Sequence, residues 1–464
     1  MEKSTSPFVK KHFVLVHTAF HGAWCWYKIV ALMRSSGHNV TALDLGASGI
    51  NPKQALEIPN FSDYSSPLME FMASLPANEK LILVGHALGG LAISKAMETF
   101  PEKISVAVFL SGLMPGPNID ATTVYTKAAS AVIGQLDNCV TYENGPTNPP
   151  TTLIAGPKFL ATNDLALATA LVRPFYLYLA EDISKEIVLS SKRYGSVKRV
   201  FIVATESDAF KKEFLELMIE KNPPDEVKEI EGSDHVTMMS KPQQLFTTLL
   251  SIANNGVPSK RRSNLGVSVS SSVGVSFQLS RFIAQSTVVC EPIFKLLKKD
   301  APTKWTEECQ TAFDAIKSYL SNPPVLSSRG VVFKLDNRVT FDNGLANPPT
   351  TFIYGPKYLA SYLYPLSPIQ DWALATTLVR PIYFFSLNDV SKEIVLSNKK
   401  YGSVRRAYIV AAEDEVLKKE FQQLMIKKNP PNEVEEISGS DHMPMMSKPL
   451  QLFTHLTRIS NRYS

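Results

Sequence analysis

Residues 81 to 90 read "LILVGHALGG". Four apolar residues run into a glycine-flanked turn, and the apolar "LAISKAMETF" follows with helical spacing. This is the pattern of a buried strand that breaks sharply and opens a helix. In the frame Gly-x-Ser-x-Gly such a turn holds a serine hydroxyl above the end of a sheet. The frame here is Gly85-His86-Ala87-Leu88-Gly89, so the turn is present and its hydroxyl is not.

The surrounding chain supplies the rest of an α/β layout. The continuous apolar runs "HFVLVHTA", "NVTALDL", "KLILVGHA", "ISVAVFLSGL" and "RVFIVAT" predict central strands buried on both faces. Amphipathic stretches such as "SPLMEFMASL" separate them. The expectation is a mostly parallel sheet with helices on both faces over residues 12–254. The rhythm breaks at about 115–192, rich in Pro, Thr, Asn and Ala, which suits an inserted cap that walls a pocket.

The back half of this region occurs twice. "QLDNCVTYENGPTNPPTTLIAGPKFLAT" matches "KLDNRVTFDNGLANPPTTFIYGPKYLAS", and "SKEIVLSSKRYGSVKRVFIVAT" matches "SKEIVLSNKKYGSVRRAYIVAA". The offset is 199 between Asp137 and Asp336 and 207 between His235 and His442, so the first copy lacks 207 − 199 = 8 residues of the second. They fall where "ATNDLALAT" faces "ASYLYPLSPIQDWALAT", which makes the first cap the shortened one. Residues 334–464 repeat only cap and C-terminal parts, with no second "FVLVHTA" or "LILVGHALGG". That copy is expected to be a partial domain, loosely folded or leaning on the first. Residues 255–279 are serine-rich and read as linker. Residues 280–328 give two amphipathic helical stretches, with Thr306 as an N-cap. They resemble the connection between reverse-transcriptase and RNase H regions of plant retrotransposon polyproteins, which implies an interrupting mobile element or a mistaken gene model.

Bulk properties narrow the functional classes. The 464 residues are 44% hydrophobic and 20% charged with net charge +5, ordinary globular material for two or three domains. The basic cluster Lys260-Arg261-Arg262 sits in the linker and reads as a solvated charge run, so no nucleic-acid partner is expected. Cys25, Cys139, Cys290 and Cys309 form no CxxC pair and keep no histidine-rich company, which signals neither zinc nor disulfides and suits a reducing compartment. With no run near the ~20 apolar residues of a membrane span, the expected location is the cytosol.

At the level of motifs, residues 12–254 resemble the plant methylesterase and hydroxynitrile lyase family of α/β-hydrolases. The matching stretches are "HFVLVHTAFHGAWCWYK", "VTALDLGASG", "LVGHALGG", "GPKFLAT", "YGSVKRVFIV" and "GSDHVTMMSKP". The resemblance implies hydrolysis of methyl esters of small acids such as salicylate, jasmonate or indole acetate, or cleavage of cyanohydrins, with no metal or organic cofactor. It also implies a small apolar ester or carboxylic acid as partner and leaves the oligomeric state open, a dimer included.

The family's site residues carry over unevenly. The nucleophile falls on Ala87, the base on His235, and the acid on Ser207, with Asp208 next to it. The oxyanion donors are the backbone N–H groups of Ala19 and Leu88. In the second copy Asp414 and His442 keep the acid–base spacing but have no elbow to serve. Removal of a triad serine costs on the order of a millionfold in turnover, so impaired hydrolysis is expected. The alternatives are a non-catalytic small-acid binding protein or a nonfunctional relic. Thr18 stands where the lyases of the family have threonine, but those lyases also use the elbow serine and carry a lysine where this chain has Val236.

Overall fold

The computed structural model describes residues 10–160, 164–207, 209–255, 335–344, 349–385, 392–397 and 399–463. The helical stretches expected at 280–328, Thr306, Lys260-Arg261-Arg262, Cys290, Cys309 and the linker beyond Asn255 lie outside the described residues. The described residues up to 255, with Leu359–Arg380 and those from Gly402 on, form one body. Those within 335–358 and 381–401 form another.

Six strands build the first body's main sheet: β1 (His12–Val16), β2 (Asn39–Leu43), β3 (Leu81–His86), β4 (Ile104–Leu110), β8 (Arg199–Ala204) and β9 (Glu226–Ile230). Their order is β2-β1-β3-β4-β8-β9 and every pairing is parallel. Phe13 to Val16 are fully buried because alternate side chains enter different cores. Val14 and Val16 pack with Leu83, Ala107 and Phe109, while Phe13 and Leu15 pack with Ile82, Val84 and Val108. A strand covered on both faces has no reason to alternate polar and apolar residues.

Two strands depart from the sequence expectation. "NVTALDL" was expected as a central strand, yet β2 is an edge strand and only half-buried. The sixth strand, β9, reads "EVKEI" and closes the other edge. Three of its five residues are charged and Val227 is exposed, so no hydrophobic stretch announces it.

The covering helices include α1 (Tyr27–Ser35), α2 (Phe61–Ser74), α3 (Gly89–Thr99), α7 (Lys212–Lys221) and α9 (Pro242–Asn255). α2 starts where Asn60 accepts from the Asp63 N–H, satisfying one orphan donor of the first turn. Between β4 and β8 lie α4 (Ala121–Val132), a three-stranded antiparallel sheet of β5 (Cys139–Thr141), β6 (Thr152–Ile154) and β7 (Phe175–Tyr176), then α5 (Leu165–Leu171) and α6 (Ala180–Glu186).

The second copy repeats local structure without the large sheet. In the second body, β10 (Arg338–Thr340), β11 (Thr351–Ile353) and β12 (Ile382–Tyr383) are antiparallel, and Val339 faces Phe352 as Val140 faces Leu153. Asp336 accepts from the Lys357 and Tyr358 N–H groups, as Asp137 does from those of Lys158 and Phe159. In the first body, α10 (Ile369–Leu378) precedes a pair of parallel strands, β13 (Ala407–Ala411) and β14 (Glu433–Ile437), with α11 (Lys419–Lys428) and α12 (Pro449–Tyr463). Among the described residues β13 pairs with β14 alone.

Candidate active site

The elbow keeps its shape without its hydroxyl. Ala87 sits between β3 and α3 with φ 45°, in the left-handed region. That region costs a residue with a Cβ about 1–2 kcal/mol. The turn is held by the Ala87 carbonyl, which accepts from the Gly90 N–H at 2.9 Å and the Leu113 N–H at 2.8 Å. Small residues on either side are obligatory. A Cβ on Gly89 would lie 2.6 Å from the His17 carbonyl oxygen, and one on Gly85 would lie 2.9 Å from the Gly89 carbonyl oxygen. The buried Ala87 methyl therefore occupies a strained backbone position.

His235 follows β9 in the turn before α8 (Thr237–Ser240). Its Nδ1 lies 3.0 Å from Ser207 Oγ, its carbonyl accepts from His86 Nε2 at 2.8 Å, and the ring of Phe210 meets its own edge-on at 5.2 Å. Burial, with a smaller contribution from His21, lowers its pKa to about 4. A carboxylate at position 207 would force the proton onto Nδ1 and stabilise an imidazolium. A serine hydroxyl can donate or accept, so the imidazole stays neutral and Nε2 is free to carry the proton.

Three more buried histidines surround the turn. His17 Nε2 accepts from the Leu45 N–H at 3.0 Å, which makes its Nδ1–H the donor to the Thr18 carbonyl at 2.7 Å. His21 Nδ1 lies 3.0 Å from the Ala19 carbonyl while its ring stacks on Trp24. Burial lowers both pKa values to about 4 and holds that of His86 well below the ordinary range. Sequence reasoning placed "HTAFHGAW" only as a matching motif and missed that His17 and His21 fix the peptide carbonyls of Thr18 and Ala19. The spacing of two histidines four residues apart after a buried strand was the available signal.

Thr18 lies just beyond β1, and its hydroxyl oxygen accepts from the Leu88 N–H at 3.3 Å. One of the two expected oxyanion donors is thus engaged by a side chain. The hydroxyl proton is left to point elsewhere, since the bond uses only a lone pair. Thr18, Ala19, Leu88 and His235 together line a cavity of about 250 Å³, whose remaining wall is mainly apolar, with Tyr125 and Phe175 from the segment between β4 and β8. Asp208 lies outside the described residues. Asp414 Oδ2 and His442 Nδ1 approach to 2.9 Å in the second copy, whose described residues include no strand–turn–helix elbow of their own. No cluster of His, Cys, Asp and Glu suited to a metal occurs among the described residues.

Comparison with known proteins extends the picture. A profile described as "Alpha/beta hydrolase family" matches residues 13–248. The chain is 49% identical to Methyl jasmonate esterase 1 of Vitis vinifera over 255 residues, covering 53% of this chain and 98% of that one. It is 44% identical to Salicylic acid-binding protein 2 of Nicotiana tabacum, with 53% and 97% covered. Among solved structures, tomato Methylketone Synthase I complexed with 2-tridecanone is 91% identical with TM-score 0.53, covering 54% of this chain and all of that one. A histidine-to-alanine variant of the same synthase, complexed with beta-ketoheptanoate, is 90% identical with the same TM-score of 0.53.

Proposed function

The chain belongs to the alpha/beta hydrolase family and within it to the plant methylesterases, and from that membership we propose that its pocket decarboxylates β-keto acids to methylketones, a reaction that needs no nucleophile. The observation that carries this reading is an intact, strained elbow bearing a methyl group beneath a cavity lined by Thr18 and a neutral His235. The 91% identity to a synthase whose name and complexes pair a methylketone with a β-keto acid supports it. The two ligands differ in chemical class by one carboxyl group, the group that decarboxylation removes.

The step balances without an enzyme-bound intermediate. The bond between the carboxylate carbon and Cα breaks, its electron pair becomes the C=C of an enolate, and CO2 leaves. The enolate oxygen then holds the negative charge until a proton from solvent reaches Cα and regenerates the ketone. The Thr18 hydroxyl, the His235 Nε2–H and the Ala19 N–H stabilise that oxygen, which carries more charge in the transition state than in the bound acid. The apolar wall strips water from the carboxylate, whose concentrated charge loses more by this than the spread charge of the enolate.

Hydrolysis of methyl esters of salicylate, jasmonate or indole acetate is impaired in this reading, because Ala87 offers no oxygen for an acyl bond. The unpaired Cys25 and Cys139 favour a cytosolic location. A binding role without turnover is the second reading, favoured by the apolar cavity and by the 44% identity to a protein named for binding salicylic acid.

The test incubates the full chain with β-ketoheptanoate and, separately, with methyl jasmonate, and measures 2-hexanone and free jasmonate. The reading predicts 2-hexanone above the uncatalysed rate and no free jasmonate. Binding of β-ketoheptanoate without 2-hexanone would establish the second reading instead. Ala87→Ser restores measurable hydrolysis of a p-nitrophenyl ester if the missing oxygen is what impairs ester chemistry.

A further inference from the structure

The outer side of α1 carries residues of both copies. Near its start, Lys28 Nζ pairs with Asp164, at the foot of the first copy's α5, at 2.7 Å. Near its end, Arg34 Nη1 donates to Thr376 Oγ1 of the second copy's α10 at 2.8 Å, and the guanidinium lies over the Trp372 ring at 5.1 Å. Between these points Ala373 is fully buried in the same apolar cluster as Trp24, Ile29 and Met33, with Trp372, Leu374 and Leu378 packed against it. Burial lowers the pKa of Arg34 and raises that of Asp371, as it would for charges drawn out of water.

The two copies therefore converge on one helix. Asp164 and Asp371 are equivalent positions, 371 − 164 = 207 residues apart, and both bear on Tyr27, whose pKa is raised mainly by burial. The arginines that follow, Arg173 and Arg380, both act on Asp44. The first copy lost 8 residues directly before α5, a helix of 7 residues, while α10 has 10. The second copy retained those residues, and the helix that follows them is the one seated on α1.

We propose that residues 359–380 are a structural part of the hydrolase domain: the second copy supplies in the same chain a cap helix that compensates for the shortening of the first, so the folded domain does not end at residue 254. Apolar contact at Ala373 supplies the attraction, and the Arg34 interactions with Thr376 and Trp372 fix the register.

The experiment is amide hydrogen exchange on the full chain and on three variants, Trp372→Ala, Ala373→Asp and, as a control on an exposed face of α12, Leu450→Asp. In the unmodified chain the amides of 369–378 are protected. Trp372→Ala and Ala373→Asp each speed exchange in 369–378 and also in Tyr27–Ser35, by roughly tenfold or more, because loss of the docked helix uncovers α1. Leu450→Asp leaves both segments as they were. Unprotected 369–378 amides in the unmodified chain would overturn the proposal, as would variants that free 369–378 while the amides of α1 exchange unchanged.

Discussion

β8 and β13 begin from nearly the same sequence, "RVFIVA" and "RAYIVA", and end in different places. β8 lies inside a six-stranded sheet between β4 and β9, with Phe201 fully buried. β13 has one neighbour, and Tyr408 at the position of Phe201 is half-buried. The helices behave alike: Phe246 and Leu249 of α9 are buried, whereas Phe453 and Leu456 of α12 are exposed. Local pattern decides that a strand or helix forms, and the front half, present once, decides what it can bury. The same holds for chemistry. His235 lies beside the elbow in a cavity and faces a serine, while His442 has a carboxylate partner, Asp414, and does not line that cavity.

The largest effect that separates the copies should be catalytic. His235→Ala is expected to lower methylketone formation by about a hundredfold or more, the usual weight of one preorganised donor to a developing oxyanion. His442→Ala should leave the rate unchanged, and equal losses would make the second copy part of the site. Packing comes next. Phe201→Ala should cost about 3–5 kcal/mol by chemical denaturation, and Tyr408→Ala about 1 kcal/mol or less.

The third contrast is in pH. Folded His17, His21 and His235 have pKa values near 4, below the ordinary 6.5, so the unfolded chain binds more protons between those limits. Stability is therefore full above pH 6.5 and falls as pH drops toward 4, with about four protons taken up on unfolding once His86, also held well below 6.5 by burial, is counted. Thermal melts at pH 7.5 and pH 5 measure this. A melting midpoint that does not fall between these two pH values would contradict it. The smallest effect is on α12, where Phe453→Ser should shift the melting midpoint by about a degree or less, since an exposed side chain gives up little on unfolding.

Much of the fold was legible because central strands buried on both faces write long apolar runs, as "HFVLV" and "ISVAVFL" do. Edge strands write weaker signals: β2 was placed too deep and β9 was not announced at all. At the site, the frame around Ala87 and the His235 position were readable from spacing. The hydrogen bond from Leu88 to Thr18 and the clamp by His17 and His21 were not, because they depend on which way a loop turns after β1. The seating of α10 on α1 was equally hidden, since amphipathic spacing does not say which surface a helix meets.

The central claim is that this elbow works without a nucleophile. Its most direct test offers the unmodified full chain β-ketoheptanoate and the methyl ester of the same acid, in parallel, and follows 2-hexanone and methanol. The account predicts 2-hexanone from the free acid, with the ester recovered intact. Methanol released from the ester at a rate comparable to turnover of the acid would contradict it.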